Sequence, residues 1–227
     1  MIATITTDEL ENGKTYLTPA NWSEITLKQY LAYLPVKEKE PTKLKECFES
    51  EDFNKAYLAL DLRDKAAIHS HMVSVLHIMM ECPKRVLLQV DREQIEVAFF
   101  AVYVVLLSAE YKRINGVFEF NGKLWYLPQE NMKGSTVIEF AEAAQFEKYA
   151  NDLHGGNDYA LLDVISILAR PKGEEYDSDK LEERKELFRG LSMDIVFGIS
   201  FFLSKLNVIF QNNILIYSQS RLLGLIQ

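Results

Sequence analysis

Apolar residues along most of the chain recur with the spacing of helices. In residues 65–81, apolar side chains return every three or four positions, while polar ones occupy the other side. This spacing places the apolar positions on one helical face. They are Ile68, Met72, Val75, Leu76 and Met79. By the same reasoning we predict helices over 26–34, 44–48, 53–60, 65–81, 92–111, 136–153, 158–169 and 179–190, and an apolar segment over 193–203.

The ends of these helices carry recognisable capping residues. Thr26 and Gln29 have the spacing of a capping box, in which each side chain binds a backbone N–H of the other residue. The sequence predicts a hydrophobic staple between Ile25 and Tyr30. Further boxes are expected at 91–94, 136–139 and 179–182. Predicted helix ends follow at Pro35, Pro83, Gly155, Pro171 and Gly190, and Ser192 is expected to cap the last segment.

Two Asn-Gly dipeptides predict hairpins. Asn12-Gly13 and Asn121-Gly122 lie between alternating residues. A type I′ turn needs positive φ at both central positions, which Asn and Gly tolerate best. An isolated hairpin is marginal in water, so we expect the two hairpins to join in one small antiparallel sheet, or one to pair with a neighbouring subunit.

The predicted elements define an α+β, predominantly α-helical fold, with a helical bundle core and a small antiparallel sheet from the hairpins. Residues 92–111 are apolar all round and should form the central buried helix. The apolar tail, 207–227, is expected to pack on the body or on a partner. Both hairpins precede a capped helix at a similar distance, which indicates either a duplication or two uses of common turn chemistry.

The length fits a single domain over 1–227. A subdivision is also open. It comprises an N-terminal hairpin and helix over 1–35, a helical part over 36–111, a second hairpin and helix over 112–153, and a helical C-terminal part over 154–227.

The charge balance narrows the classes of partner. The chain has 33 acidic and 25 basic residues, a net charge of −8. Nucleic-acid wrapping needs clustered Lys and Arg, so we expect no specific nucleic-acid binding, although an acidic wall suits a channel through which DNA moves. The longest apolar run, 97–107, is too short for a membrane span. The N-terminus lacks the basic and apolar regions of a signal peptide. Cys47 and Cys82 are expected to be reduced thiols.

Known catalytic and ligand-binding patterns are absent from the sequence. It has no phosphate-binding glycine loop, dinucleotide fingerprint or nucleophile elbow. Its histidines lack the spacing of metal ligands, so we expect no metal and no cofactor. They are His69, His71, His77 and His154. An acidic cluster over 174–183 is either a cation site or, as we favour, a set of exposed acids near a helix N-terminus.

Other side chains have a structural and a functional interpretation. Arg170 is expected to pair with Asp163, Glu174 or Asp177 and hold the turn at Pro171, rather than to bind a substrate. The aromatic residues fit core packing better than stacking on single-stranded nucleic acid, because no Lys or Arg is interleaved with them. They are Tyr16, Trp22, Tyr30, Trp125 and Tyr126.

Two segments resemble a known group of proteins. One is residues 16–30, Tyr-Leu-Thr-Pro-Ala-Asn-Trp-Ser-Glu-Ile-Thr-Leu-Lys-Gln-Tyr. The other is 169–177, Ala-Arg-Pro-Lys-Gly-Glu-Glu-Tyr-Asp, with Arg184, Phe188 and 201–203 downstream. Together they resemble structural proteins of tailed bacteriophages encoded among head–tail and tail genes, including ring proteins of crAss-like phages of gut Bacteroidales. The resemblance covers about a quarter of the chain, and 36–111 does not share it.

The resemblance implies a non-enzymatic virion protein. It would be one subunit of a homo-oligomeric ring, of about twelve copies, between the portal and the short tail. Its neighbours would be portal or other ring proteins, with no membrane involved. An alternative is a tail-assembly chaperone that binds the tape-measure protein, and an enzyme is a third. The residues expected to carry structure or contacts are Trp22, Thr26, Gln29, Trp125, Arg170, Pro171, Tyr176, Asp177, Phe201 and Phe202.

Overall fold

A computed structural model describes residues 3–7, 14–108, 111–128, 137–154 and 157–205. The chain forms two compact units, an N-terminal unit over 1–110 and a C-terminal unit over 111–227. Helices dominate both units, and each contains a short antiparallel sheet. The predicted fold class, α+β and predominantly helical, is therefore confirmed.

The N-terminal unit contains six α-helices among its described residues. They are α1 (Leu27–Lys37), α2 (Thr42–Glu49), α3 (Phe53–Ala59), α4 (Leu62–Met79), α5 (Lys84–Leu87) and α6 (Arg92–Leu107). Strands β1 (Thr4–Thr7) and β2 (Lys14–Leu17) and a 3-10 turn over Trp22–Glu24 precede them. Helix α4 packs against α1 and α6. Its face of Ile68, Met72 and Leu76 is fully buried, as the helical spacing predicts.

The capping box at the start of α1 is confirmed. The backbone N–H of Thr26 donates to Gln29 Oε1 at 2.8 Å, and the backbone N–H of Gln29 donates to Thr26 Oγ1 at 3.3 Å. Gln29 Nε2 also donates to the carbonyl of Met79, 3.2 Å away, in the last turn of α4. One side chain therefore caps the start of one helix and binds the end of another.

Helix α1 does not end at Pro35 as predicted. It continues to Lys37 with Pro35 inside its last turns. Proline at position 35 lacks the backbone N–H that would bind the carbonyl of Leu31, so one helical hydrogen bond is missing. The helix nevertheless continues, and the N–H of Glu38 donates to Leu34 O at 3.0 Å.

Helix α6 differs from its prediction in three ways. It ends at Leu107 rather than at 111, and Asp91 precedes it without a side-chain capping hydrogen bond. One face is buried around Ile95, Phe99 and Val102, but Val104 and Leu107 on another face are 68% and 69% exposed. The expectation of an all-round buried central helix is therefore wrong.

The C-terminal unit contains a three-stranded sheet and four α-helices among its described residues. The sheet has the order β3 (Val117–Phe120), β4 (Lys123–Tyr126) and β5 (Arg170–Pro171), with antiparallel neighbours. The helices are α7 (Val137–His154), α8 (Leu161–Leu168), α9 (Leu181–Phe188) and α10, residues 193–205.

The second hairpin has the predicted turn. Phe120 lies opposite Lys123, and Asn121 and Gly122 have φ values of 50° and 69°. Both values are positive, as a two-residue type I′ turn requires. Phe118 and Trp125 lie opposite each other on the buried side of this sheet.

The first hairpin differs from its prediction in register. Lys14 lies opposite Thr7, so the six residues 8–13 separate the paired strands. The Asn12-Gly13 turn therefore lies outside the described residues. The two hairpins belong to separate sheets, so the expectation that they join in one sheet is wrong. Pairing with a neighbouring subunit stays a prediction.

The chain turns between α8 and α9 at residues 169–177, which we name the elbow. Helix α8 ends at Leu168, before Pro171, as expected from the restriction that a proline places on the preceding residue. Asp177 rather than Asp179 caps the next turn, since its Oδ1 accepts from Asp179 N at 3.0 Å. Gly190 lacks the positive φ predicted for it. The whole predicted apolar tail, 207–227, lies outside the described residues.

We predict that Gly198→Ala destabilises the C-terminal unit by about 2–3 kcal/mol, because helix α10 approaches the backbone of residues 112–114 at this position. A Cβ on Gly198 would lie 2.1 Å from the carbonyl oxygen of Lys112. Urea unfolding measures the free energy of unfolding. The matched control is Gly190→Ala, whose Cβ would meet Phe120 Cζ at an ordinary 3.5 Å. Equal stability of the two variants would contradict the prediction.

Candidate functional site

A buried ion pair holds the elbow against α7. Arg170 donates from Nη1 to Glu139 Oε1 at 2.6 Å and from Nη2 to Glu139 Oε2 at 2.8 Å. The two residues are 5% and 1% exposed. Strand β5 positions the arginine, since Arg170 lies opposite Tyr126 of β4. The planar guanidinium fits both carboxylate oxygens at once, and this geometry makes a charge-assisted pair strong.

Tyr176 extends this ion pair into a network. Its ring lies 5.9 Å from the guanidinium carbon of Arg170, within the range of a cation–π interaction. Its hydroxyl donates to Glu142, one helical turn beyond Glu139 on α7. Burial, the hydrogen bond to Glu142 and the nearby carboxylates raise the pKa of Tyr176 to about 12. The phenol therefore stays protonated and acts as a donor.

A second arginine ties the elbow to α9. Arg184 is 4% exposed and donates from Nη2 to Glu174 Oε1 at 2.6 Å. Burial acts to raise the pKa of Glu174, but the hydrogen bond and charge of Arg184 outweigh it and lower that pKa. The ammonium of Lys180 lies 3.5 Å from the same oxygen. The elbow is thus joined to the helices on both sides of it.

The expected partners of Arg170 are engaged elsewhere. Asp163 binds Lys185 at 2.7 Å, Glu174 binds Arg184, and Asp177 Oδ2 lies 4.0 Å from the ammonium of Lys180. The residue that binds both guanidinium nitrogens is Glu139, 31 positions away in sequence. We predicted Glu139 only as a helix-capping residue, with Thr136, which lies outside the described residues.

The network suits a structural role better than a catalytic one. Both arginines bind glutamates of this chain, and Tyr176 binds a third, although the buried Nη1 of Arg184 has no hydrogen-bond partner among the described residues. The acids of 174–183 also serve as helix caps or lie in ion pairs at several positions. Within the described residues, no group of three or more acids, histidines or cysteines is placed to hold a metal ion.

The residues of the first resembling segment lie in the N-terminal unit and hold the chain in place at the start of α1. Trp22 is 4% exposed, and its Nε1 donates to the carbonyl of Ser108 at 3.0 Å, just after α6. Its ring meets Tyr30 edge-on, with centroids 6.0 Å apart. Thr26 and Gln29 form the capping box already described. These residues are bound within the unit, so they determine structure rather than offer a contact surface.

The aromatic candidates of the C-terminal unit divide into buried and exposed ones. Trp125 is buried, with its ring 4.7 Å from Phe188 of α9, and Pro171 lies opposite it in the sheet. The Phe202 ring packs over Gly116, since its Cζ would lie 3.2 Å from a Cβ there. Phe201 is 45% exposed and lies beside Tyr111 at 5.2 Å. Only Phe201 presents a large apolar surface.

A titratable cluster in the N-terminal unit was not predicted. Tyr103 of α6 donates to Glu40 Oε1 at 3.2 Å. Burial and the carboxylate of Glu40 raise the pKa of Tyr103 to about 12 and that of Tyr33 further. Burial lowers the pKa of His71, although the charge of Glu40 acts against this. The only sequence signal was the polar character of these residues, which does not indicate their proximity.

Comparison of the chain with protein-family models, curated proteins and solved structures finds no match. Among the described residues, no helix combines the length and the apolar character that crossing a membrane requires. The geometry of the chain itself therefore carries the functional argument.

We predict that Arg170→Met and Glu139→Leu each lower the free energy of unfolding of the C-terminal unit by about 3–5 kcal/mol, because each leaves one buried charge unpaired. The double variant should lose less than either single variant, since it removes both charges. Urea unfolding followed by Trp125 fluorescence in a Trp22→Phe background measures this. Glu46→Gln is the control, because its pair with Lys43 has the same 2.6 Å distance but is exposed. Additive losses would refute the coupling.

The buried His71 predicts a pH dependence of the N-terminal unit. The folded unit disfavours the charged imidazole, so the unfolded chain takes up a proton first as pH falls below about 6.5. Stability should therefore be highest above that pH and decline below it, until the lowered pKa of the folded state is passed. His71→Leu should reduce this decline in thermal unfolding of the N-terminal unit, and an unchanged decline in that variant would contradict the prediction.

Proposed function

We propose that this chain is a non-enzymatic structural protein of a tailed bacteriophage, one subunit of an oligomeric ring in the portal-proximal tail or head–tail connector. The resemblance of residues 16–30 and 169–177 to such proteins supports the proposal. In the structure, both segments contribute to internal hydrogen bonding and packing. The resemblance therefore falls on residues that maintain the fold of this chain.

The observation that carries the proposal is an exposed apolar stripe on α6. Val97, Val104 and Leu107 are 50%, 68% and 69% exposed. Their spacing of seven and three residues places them on one face of the helix. Exposed apolar side chains that align in this way mark interaction surfaces more often than single ones do. A subunit held between two copies of itself needs such a surface.

The network at the elbow supports the same role. A ring subunit transmits load through its own body, so its elements must stay fixed relative to one another. Two buried arginines join α7, β5, the elbow and α9. The net charge of −8 disfavours binding to the DNA that would pass through such a ring.

A tail-assembly chaperone is the second candidate, and the same stripe favours it. An apolar stripe along one helix is the surface that a helical partner binds in helix-in-groove recognition. In that case the partner would be the tape-measure protein, and the chain would be absent from the finished particle. Mass spectrometry of purified virions separates the two: detection of this polypeptide supports the ring, and its absence supports the chaperone.

We predict that the purified chain forms closed oligomers in light scattering, and that Val104→Glu/Leu107→Glu lowers their mass to that of the monomer. Two buried carboxylates at the contact would each lack a partner, which costs several kcal/mol. The control is Leu62→Glu, which adds the same charge at a position 84% exposed and outside the stripe. Circular dichroism must show unchanged helicity. A wild-type monomer at virion-like concentration would contradict the proposal.

A further inference from the structure

Strand β2 has one unpaired edge among the described residues. Its described neighbour is β1. The N–H of Thr18 donates to the carbonyl of Ala3 at 3.0 Å, so the bonded pairs run through Ala3–Thr18 and then Ile5–Tyr16. In an antiparallel pair, the alternate residues direct their backbone groups away from the partner. The backbone N–H and C=O of Thr15 and Leu17 therefore point to the other side of β2.

Strand β3 has an equivalent edge. Its described neighbour is β4, and the N–H of Leu127 donates to the carbonyl of Gly116 at 2.8 Å. The bonded pairs are thus Gly116–Leu127 and Phe118–Trp125. By the same alternation, Val117 and Glu119 direct their backbone groups away from β4. An edge of this kind is a template for a further strand.

The two edges match in the alternation of their side chains. On β2, Thr15 and Leu17 are exposed and Tyr16 is 4% exposed. On β3, Val117 and Glu119 are exposed and Phe118 is 4% exposed. On both strands, the residues with outward backbone groups therefore have exposed side chains, and the residue between them is buried. Register is strongly specified where one face of a sheet is buried.

We propose that β2 of one copy pairs antiparallel with β3 of the next copy, which joins the two sheets into one across the subunit contact. In the register of greatest overlap, Leu17 lies opposite Val117, Thr15 opposite Glu119 and Tyr16 opposite Phe118. The exposed Leu17 and Val117 then cover each other. The buried faces of both sheets continue across the joint. This inference rests on the proposed function, because it names how the ring subunits contact one another.

The exposed side chains favour this pairing over pairing between identical strands. In the register of greatest overlap, two β2 strands would place Leu17 opposite Thr15, and two β3 strands would place Val117 opposite Glu119. Pairing of β2 with β3 instead covers the exposed Leu17 and Val117 with each other. Each copy offers one edge of each kind, so the contact is head-to-tail, the kind of contact that forms a ring when the rotation between neighbours closes.

Disulfide trapping tests the pairing in the full chain. Leu17→Cys and Val117→Cys are prepared separately, with the buried Cys47 and Cys82 left in place. Opposite residues in a bonded antiparallel pair have Cα atoms about 5.5 Å apart, which a disulfide can span. Oxidation of the mixture should give a covalent dimer on a non-reducing gel, and neither variant alone should. A chain that carries both Leu17→Cys and Val117→Cys should give a series of bands for covalent dimers, trimers and larger oligomers.

The outcomes separate this inference from the proposed function. If the wild type assembles in light scattering but the mixture does not crosslink, the β2–β3 pairing is wrong and the ring proposal still stands. A dimer from Val117→Cys alone overturns it in favour of a two-fold contact. A wild-type monomer overturns the ring proposal and this inference with it.

A backbone variant gives a second test. Thr15→Pro removes an outward N–H that the pairing with β1 does not use, so the hairpin should persist while the contact weakens. The concentration needed for assembly should rise about tenfold or more. Thr15→Val keeps the N–H and should assemble as wild type does. Unchanged assembly of the proline variant, with an unchanged melting temperature, would show that β2 is not at the contact.

Discussion

The buried pair between Glu139 and Arg170 is the interaction on which the C-terminal unit depends. It joins the first turn of α7 to the short strand β5, which in turn pairs with β4. Removing either charge from water is costly, and the bidentate geometry offsets that cost only while both partners stay in place. Loss of either partner should therefore destabilise the whole position of the elbow, because it leaves the other charge buried and unpaired. Tyr176 and Arg184 bind further carboxylates, Glu142 of α7 and Glu174 of the elbow, and so add contacts on both sides of this pair.

In both units, some polar groups are buried and paired, while some apolar side chains are exposed. In the N-terminal unit, Glu40 and Tyr103 bind each other below the surface, while Val104 on the same helix is exposed. In the C-terminal unit, Arg170 is buried while Val117 on a neighbouring part of the sheet is exposed. Burial of a polar group is costly unless the group is hydrogen-bonded, and the paired groups of Arg170, Glu139 and Tyr103 meet this requirement.

Local patterns predicted the elements well where a single mechanism dominates. The Thr26–Gln29 box and the Asn121-Gly122 turn have the predicted geometry, because each depends on residues within four positions. Pro35 and Asp91 did not behave as predicted, since helix α1 continues past Pro35 and Asp91 makes no side-chain capping hydrogen bond. The Arg170 partner failed for a different reason. Three carboxylates lie close to it in sequence, and no property of the sequence distinguishes them from Glu139, which tertiary packing brings to the site.

The sequence by itself determined the helical class, the Thr26–Gln29 capping box, the type I′ turn and the acidic charge. These follow from spacing and from backbone preferences that act over a few residues. The tertiary structure alone decided that the hairpins lie in separate sheets, that Glu139 rather than a nearer acid holds Arg170, and that one face of α6 is exposed. Those outcomes depend on which distant segments meet, and the free energy of burial that selects them is a property of the assembled core rather than of any single segment.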